Sequence, residues 1–323
     1  MVVASSEGWS RPSPNPLTAP TNSASVWRED VFEASVSERS EELVDDLAQQ
    51  VEDRYGGVAA FNVNRYGTST WTAPWWVARE DVAFDDCQDR GDVPEGVYDG
   101  LEHFAEVPIP ALAVPSPGSD GQLTVYSPSS DQLWEFWKAR RDEDGWSACW
   151  GGRIDDASTS EGWFDGAAGA SAAGLAVSAG AVTADEARSG DVAHALSLAI
   201  PDVAEAPQLS WPAQRTDGRD PDDEAIPMGQ RFRLDPDVDV DSLDLHPVAE
   251  AVAVAAQRYG FIVTDSSGAV SVSADTGQEA VSGPDEVDPW REILDGTPSY
   301  AVLEDFPWDR LEALPRDWGQ PEG

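Results

Sequence analysis

Residues 122–154 decide the reading of this chain: Gln122-Leu123-Thr124-Val125-Tyr126-Ser127, then Gln132-Leu133-Trp134-Glu135-Phe136-Trp137-Lys138-Ala139, then Trp146 to Ile154. These segments carry β-branched and aromatic residues and are separated by turn formers, Pro128-Ser129-Ser130-Asp131 and Arg141-Asp142-Glu143-Asp144-Gly145. That spelling predicts a meander of three antiparallel strands. In the middle strand, period-two alternation puts Leu133, Glu135 and Trp137 on one face and Trp134, Phe136 and Lys138 on the other.

Working outward, Val192 to Ile200, Gln208 to Pro212 and Gln230 to Leu234 read as further strands. Phe261 to Asp265 and Ala269 to Ala274 read as a hairpin around Ser266-Ser267-Gly268. Upstream, Val58 to Asn64 and Thr70 to Val77 read as two strands around Arg65-Tyr66-Gly67-Thr68. The prolines of Val107 to Pro115 each remove a ladder donor, so that segment is expected at an edge or as a polyproline-like crossing. From Gly166 to Gly180 small residues predominate, which predicts a backbone lying close against another surface.

Helices are few. Leu43, Val44, Leu47 and Val51 fall at helical spacing and Gly56-Gly57 follow as a stop, giving a helix over about 38–55. Thr183 and Glu186 have the capping-box spacing, with Gly190 closing that short helix. His246-Pro247 opens another helix over 247–259, which Gly260 ends. The expected fold is mainly β: a jelly-roll-like antiparallel β-sandwich with an N-terminal helix and one or two short packing helices. The expected organisation is an extended arm or flexible leader over 1–35, the amphipathic helix over 36–57, a β-sandwich domain over 58–283 with its core at 107–283, and an acidic, aromatic-bearing tail over 284–323 packed on the body.

The 323 residues carry 61 acidic against 20 basic side chains, a net charge of −41. Phosphate neutralisation needs clustered Lys and Arg, so nucleic acid is excluded as a partner. Acidity on this scale keeps a protein hydrated at high salt and makes it repel itself at low salt, which points to a saline or extracellular setting. No apolar run reaches the length of a membrane span. Met1 is followed by polar, proline-rich sequence without a signal-peptide pattern, so export by particle or lysis is expected over ordinary secretion. Cys87 and Cys149 are the only cysteines, enough for one bridge or two buried thiols. His103, His194 and His246 are too far apart in sequence for a close-spaced metal site, and neither metal nor cofactor is expected.

Chemistry is sought at the polar residues set among these aromatics. Glu135, with apolar neighbours, has its ionised form disfavoured, as suits a general acid; the alternative is a buried glutamate paired with Arg153 or Arg231. His194 lies in a strand of small apolar residues, where a core hydrogen bond competes with a catalytic role. Glu135, His194 and Asp217 are the catalytic candidates, since a carboxylate pair can hydrolyse a glycosidic bond and a histidine beside Arg215 can support elimination from a uronic acid. Trp137, Trp150, Arg153, Trp211, Arg215 and Arg231 are the ligand-binding candidates, because indole rings stack on pyranose faces while charged groups hydrogen-bond hydroxyls.

The strings Gln132-Leu133-Trp134-Glu135-Phe136-Trp137, Cys149-Trp150-Gly151-Gly152-Arg153, Ser210 to Gly218 and Ile226 to Leu234 resemble a largely uncharacterised family of actinobacterial secreted and actinobacteriophage tail-associated proteins, over about Phe84 to Trp308. The resemblance implies a jelly-roll-like body facing cell-envelope glycan, and the missing leader favours the phage-tail branch. No catalytic residue comes with it. The expected role is a virion-associated minor tail or receptor-engaging protein whose partners are cell-surface polysaccharide, other virion or tail subunits, or copies of itself. Its rivals are a glycan-cleaving hydrolase or lyase and a purely structural assembly protein.

Overall fold

The computed structural model describes residues 15–20, 22–63, 67–84, 104–165, 168–279 and 288–321. Among them the protein is mainly β, with thirteen strands in three sheets and five helices. The strands are β1 (Ala60–Asn62), β2 (Thr70–Thr72), β3 (Val82–Phe84), β4 (Leu123–Ser127), β5 (Gln132–Trp137), β6 (Arg140–Asp142), β7 (Gly145–Ala148), β8 (Trp150–Ile154), β9 (Leu196–Ile200), β10 (Arg231–Leu234), β11 (Phe261–Ser266), β12 (Ser271–Ser273) and β13 (Leu311–Ala313). The helices are α1 (Ser40–Asp53), α2 (Val177–Gly180), α3 (Ala184–Ser189), α4 (Pro247–Arg258) and α5 (Pro289–Ile293).

The meander is present as β4, β5 and β8, paired antiparallel with Glu135 opposite Thr124 on one side and Gly152 on the other. Between β5 and β8 the chain makes the β6–β7 hairpin, which belongs to a separate three-stranded sheet with β3. The four-stranded sheet β2-β4-β5-β8 lies between two cores. Leu133 and Ile154 on one face join the main core with the large sheet, whereas Trp134, Phe136, Leu123 and Val125 on the other join Trp71, Val107, Ile109 and Trp146. A strand buried on both sides explains why β5 carries bulky apolar residues at successive positions.

The six-stranded sheet runs β1-β12-β9-β11-β10-β13. Here the expectation of wholly antiparallel pairing fails: β1 runs parallel to β12 and β9 parallel to β11, and the other two sheets each hold a parallel pair, β2 with β4 and β3 with β7. Nor do β11 and β12 pair with each other as a hairpin. They flank β9, whose five residues are all buried and which therefore takes a central place with neighbours on both edges. β1 and β2, expected together, lie in different sheets.

The stretch from Asn15 to Ala34 is no free arm. Leu17, Val26, Trp27 and Val31 are buried, the Trp27 indole donates to Gly162 O at 3.0 Å, and Arg233 donates to the carbonyls of Val31 and Phe32. Burying a tryptophan and three aliphatics outweighs the extended, proline-rich character of the segment; residues 1–14 lie outside the described residues. At the other end, β13 extends the large sheet and Trp290 and Trp308 are buried in the main core. Gly180 shows why small residues gather before α3: a Cβ there would stand 2.4 Å from the Trp27 ring and 2.7 Å from Ser197 Cβ. Cys149 is disulfide-bonded, while Cys87 lies outside the described residues. No helix among the described residues is long and apolar enough to cross a membrane.

Candidate functional site

Glu135, His194 and Asp217 occupy three different environments. Glu135 is 1 % exposed at the middle of β5, on the face toward the main core. Its carboxylate accepts the backbone N–H of Ser178 at 2.9 Å and of Val177 at 3.2 Å, tying the middle sheet to the small-residue segment. Burial pushes it up to about 7, against the hydrogen bonds from Ser178, Val177 and Ala170 that favour the anion. Neither Arg153 nor Arg231 pairs with it. Arg153 lies opposite Trp134 on the other face of the sheet and meets Asp155 at 2.9 Å.

His194 is 2 % exposed and hydrogen-bonded at both ring nitrogens, Nδ1 to Ala195 O at 2.8 Å and Nε2 to Glu186 Oε1 at 3.2 Å. Two acceptors on the ring favour its doubly protonated form. Burial opposes that charge, yet the Glu186 carboxylate prevails and holds His194 above its ordinary value, while His194 holds Glu186 below its own. Glu186 also closes the capping box at Thr183, so the pair anchors α3 to the strand leading into β9. Arg231 is likewise internal: it donates to Val26 O and Glu29 at 2.8 Å each and lies 5.2 Å from the Trp318 ring, joining both chain ends to β10.

Asp217 stands apart from these because it reaches the surface. Five segments converge there: the end of β5 at Trp137, the start of β8 at Trp150, residues 168–175, the loop 211–218, and the end of β11. The peptide group joining Ser171 to Ala172 is gripped from both sides, its carbonyl accepting from Arg215 and its N–H donating to Asp265 Oδ2 at 3.4 Å. Asp265 also accepts from Ser266 N at 2.9 Å, and the Ser266 hydroxyl donates to Asp217 at 2.8 Å. Arg215 lies over the Trp150 ring at 4.8 Å, and Trp137 donates its indole N–H to Asp120 at 3.2 Å. Trp211 packs edge-on against Trp163 at 4.7 Å.

Asp265 owes its place to a break in β11. The register against β9 shifts between Val263 and Asp265, and a bulge of this kind re-aims the side chains that follow it. Burial, with Asp217 and Asp120 adding repulsion, pushes Asp265 up to about 7. It is therefore a carboxylic acid that holds its proton near neutrality, with a second carboxylate beside it. The Trp150 and Trp211 indole nitrogens are closed off from solvent and have no acceptor among the described residues.

The structure thus assembles Trp137, Trp150, Arg215 and Asp217 from the sequence candidates, with Trp211 on the same loop, and leaves Glu135, His194, Arg153 and Arg231 elsewhere. Sequence reasoning passed over Asp265, Asp120 and Trp163; the one available signal was an aspartate closing the apolar run Phe261 to Thr264. No group of three or more His, Cys, Asp or Glu able to hold a metal occurs among the described residues. Comparison with protein-family models, with curated proteins and with solved structures returns no match.

Proposed function

We propose that this chain contacts cell-envelope polysaccharide, as a virion-associated minor tail or receptor-engaging protein or as an extracellular one, through the surface where Arg215 lies over Trp150. That stacked pair carries the reading. Trp150 is only partly buried, so the ring area that Arg215 leaves open can give a pyranose apolar contact, and the guanidinium and two aspartates beside it match ring hydroxyls as donor and acceptors. The net charge of −41 favours neutral or cationic glycans over anionic ones. The resemblance to tail-associated proteins supports the particle setting.

The test is retention of xylan, mannan, arabinogalactan and chitin oligosaccharides on immobilised full-length protein. At least one is expected to be retained, with Trp150→Ala reducing its affinity tenfold or more while Trp146→Phe, in the second core, leaves it unchanged. Retention of none of the four, or equal retention by Trp150→Ala, overturns the proposal.

A further inference from the structure

We propose that the groove between residues 30–34, α4 and Trp318 docks a partner protein, taking a segment that sets apolar side chains beside lysine or arginine. The groove has a volume of about 810 Å³ and shares no lining residue with the surface around Trp150, so the inference goes beyond the glycan reading. Its walls are fixed. Val31 N–H donates to Arg258 O at 2.7 Å, Arg258 pairs with Asp30 at 3.0 Å, and Asp317 N–H donates to the Ser210 hydroxyl at 3.0 Å just before Trp318. Between these walls two apolar side chains stand in water, Phe32 at 40 % and Val254 at 48 % exposure. Val254 lies on the solvent side of α4, in line with Glu250 and Arg258 one turn away on either side, so it adds nothing to the core that Val248 and Val252 enter. Apolar surface gathered in a concavity marks an interaction site.

The polar groups of the groove decide what fits it. Asp30 accepts from Phe32 N–H and from Arg258, the Gln257 amide donates to the carbonyls of Asp235 and Val238, and the Arg231 guanidinium already lies over the Trp318 ring. A sugar therefore finds few groups left to meet its hydroxyls. What the groove still offers is apolar contact together with negative charge, from the exposed carboxylates of Glu33 in the groove and Glu250 one turn before Val254. That combination matches an apolar anchor flanked by a cation, and the volume accommodates several side chains. A second copy of this chain is a poor occupant, because each copy carries a net charge of −41 and repels the other.

The experiment selects binders to the immobilised full chain from a random peptide library displayed on yeast, then measures the affinity of the most enriched peptide in synthetic form. The expected peptides join Leu, Ile, Phe or Trp to Lys or Arg. Val254→Lys, which replaces the apolar floor by a cation and suits the last turns of a helix, is expected to weaken binding about tenfold or more. Glu33→Gln is expected to weaken it by a smaller factor that shrinks as salt is raised. Tyr55→Lys, the same change of charge at an exposed residue outside the groove, is expected to leave affinity unchanged. No enrichment, enrichment of acidic or wholly polar peptides, or equal binding by Val254→Lys overturns the proposal. A glycan whose retention is lost in Val254→Lys and kept in Trp150→Ala assigns the groove to sugar and overturns it as well.

Discussion

Glu135 and Asp265 are both carboxylic acids pushed up to about 7, chiefly by burial, and both accept hydrogen bonds from main-chain N–H groups. They differ in what surrounds them. Glu135 is sealed between two sheets with backbone donors on its oxygens, so its shift records a cost of burial that the fold sustains. Asp265 sits partly open at a surface among a second acid, a stacked arginine and tryptophan rings. A perturbed acidity is therefore evidence of chemistry only where a substrate can reach it.

Truncation separates the two acids most directly. Glu135→Ala removes the acceptor for two buried N–H groups and opens a cavity, so a loss of about 3 kcal/mol is expected from urea unfolding. His194→Ala leaves Glu186 without its cation at a partly solvated position and is expected to cost about 2 kcal/mol. Asp217→Asn, on a surface loop, is expected to change stability by less than about 0.5 kcal/mol. A Glu135→Ala variant as stable as the parent, or an Asp217→Asn variant as unstable as Glu135→Ala, would erase the distinction between an internal tie and an accessible acid.

Acidity sharpens the same contrast. The folded-state value of Glu135 lies above its ordinary 4.5, so the folded protein binds the proton more tightly and stability falls as pH rises from about 4.5 to about 7. Asp265 and Glu279, each near 7, and Asp275, near 6, act with the same sign. The His194–Glu186 pair bounds the window: the His194 contribution is complete below about 6.5 and is lost as pH rises through its raised value, and the Glu186 contribution is lost as pH falls through its lowered value. The melting temperature is therefore expected to be higher at pH 5.5 than at pH 7.5. Glu135→Gln, which cannot titrate, should narrow that difference; an unchanged gap would mean that Glu135 is not the buried acid described here.

Much of β5 was legible because alternation is a local property. Leu133 and Glu135 do face the main core, and Trp134 and Phe136 the second. The caps were legible for the same reason, since Thr183, Glu186 and Gly190 interact within a few residues. Pairing order was not. The Phe261–Ala274 region reads as a hairpin by spacing, but the fully buried β9 displaces that pairing, and a local reading carries no term for a strand arriving from 60 residues away. Arg231 reads as a ligand contact because a guanidinium can hydrogen-bond sugar hydroxyls; its partners, Val26 and Glu29, come from a segment that reads as an extended arm.

By itself the sequence determined a β-rich chain with a tryptophan-bearing meander, three helices, two of them with their caps, and a charge hostile to polyanions, because each follows from neighbours within one turn or one strand, or from simple addition. Only the tertiary structure decided which acids meet. The bulge in β11 redirects Asp265 after Val263, and the loop carrying Arg215 and Asp217 closes over the peptide at Ser171. Proximity between residues about fifty positions apart is set by how sheets stack and where one strand slips, which no periodicity encodes.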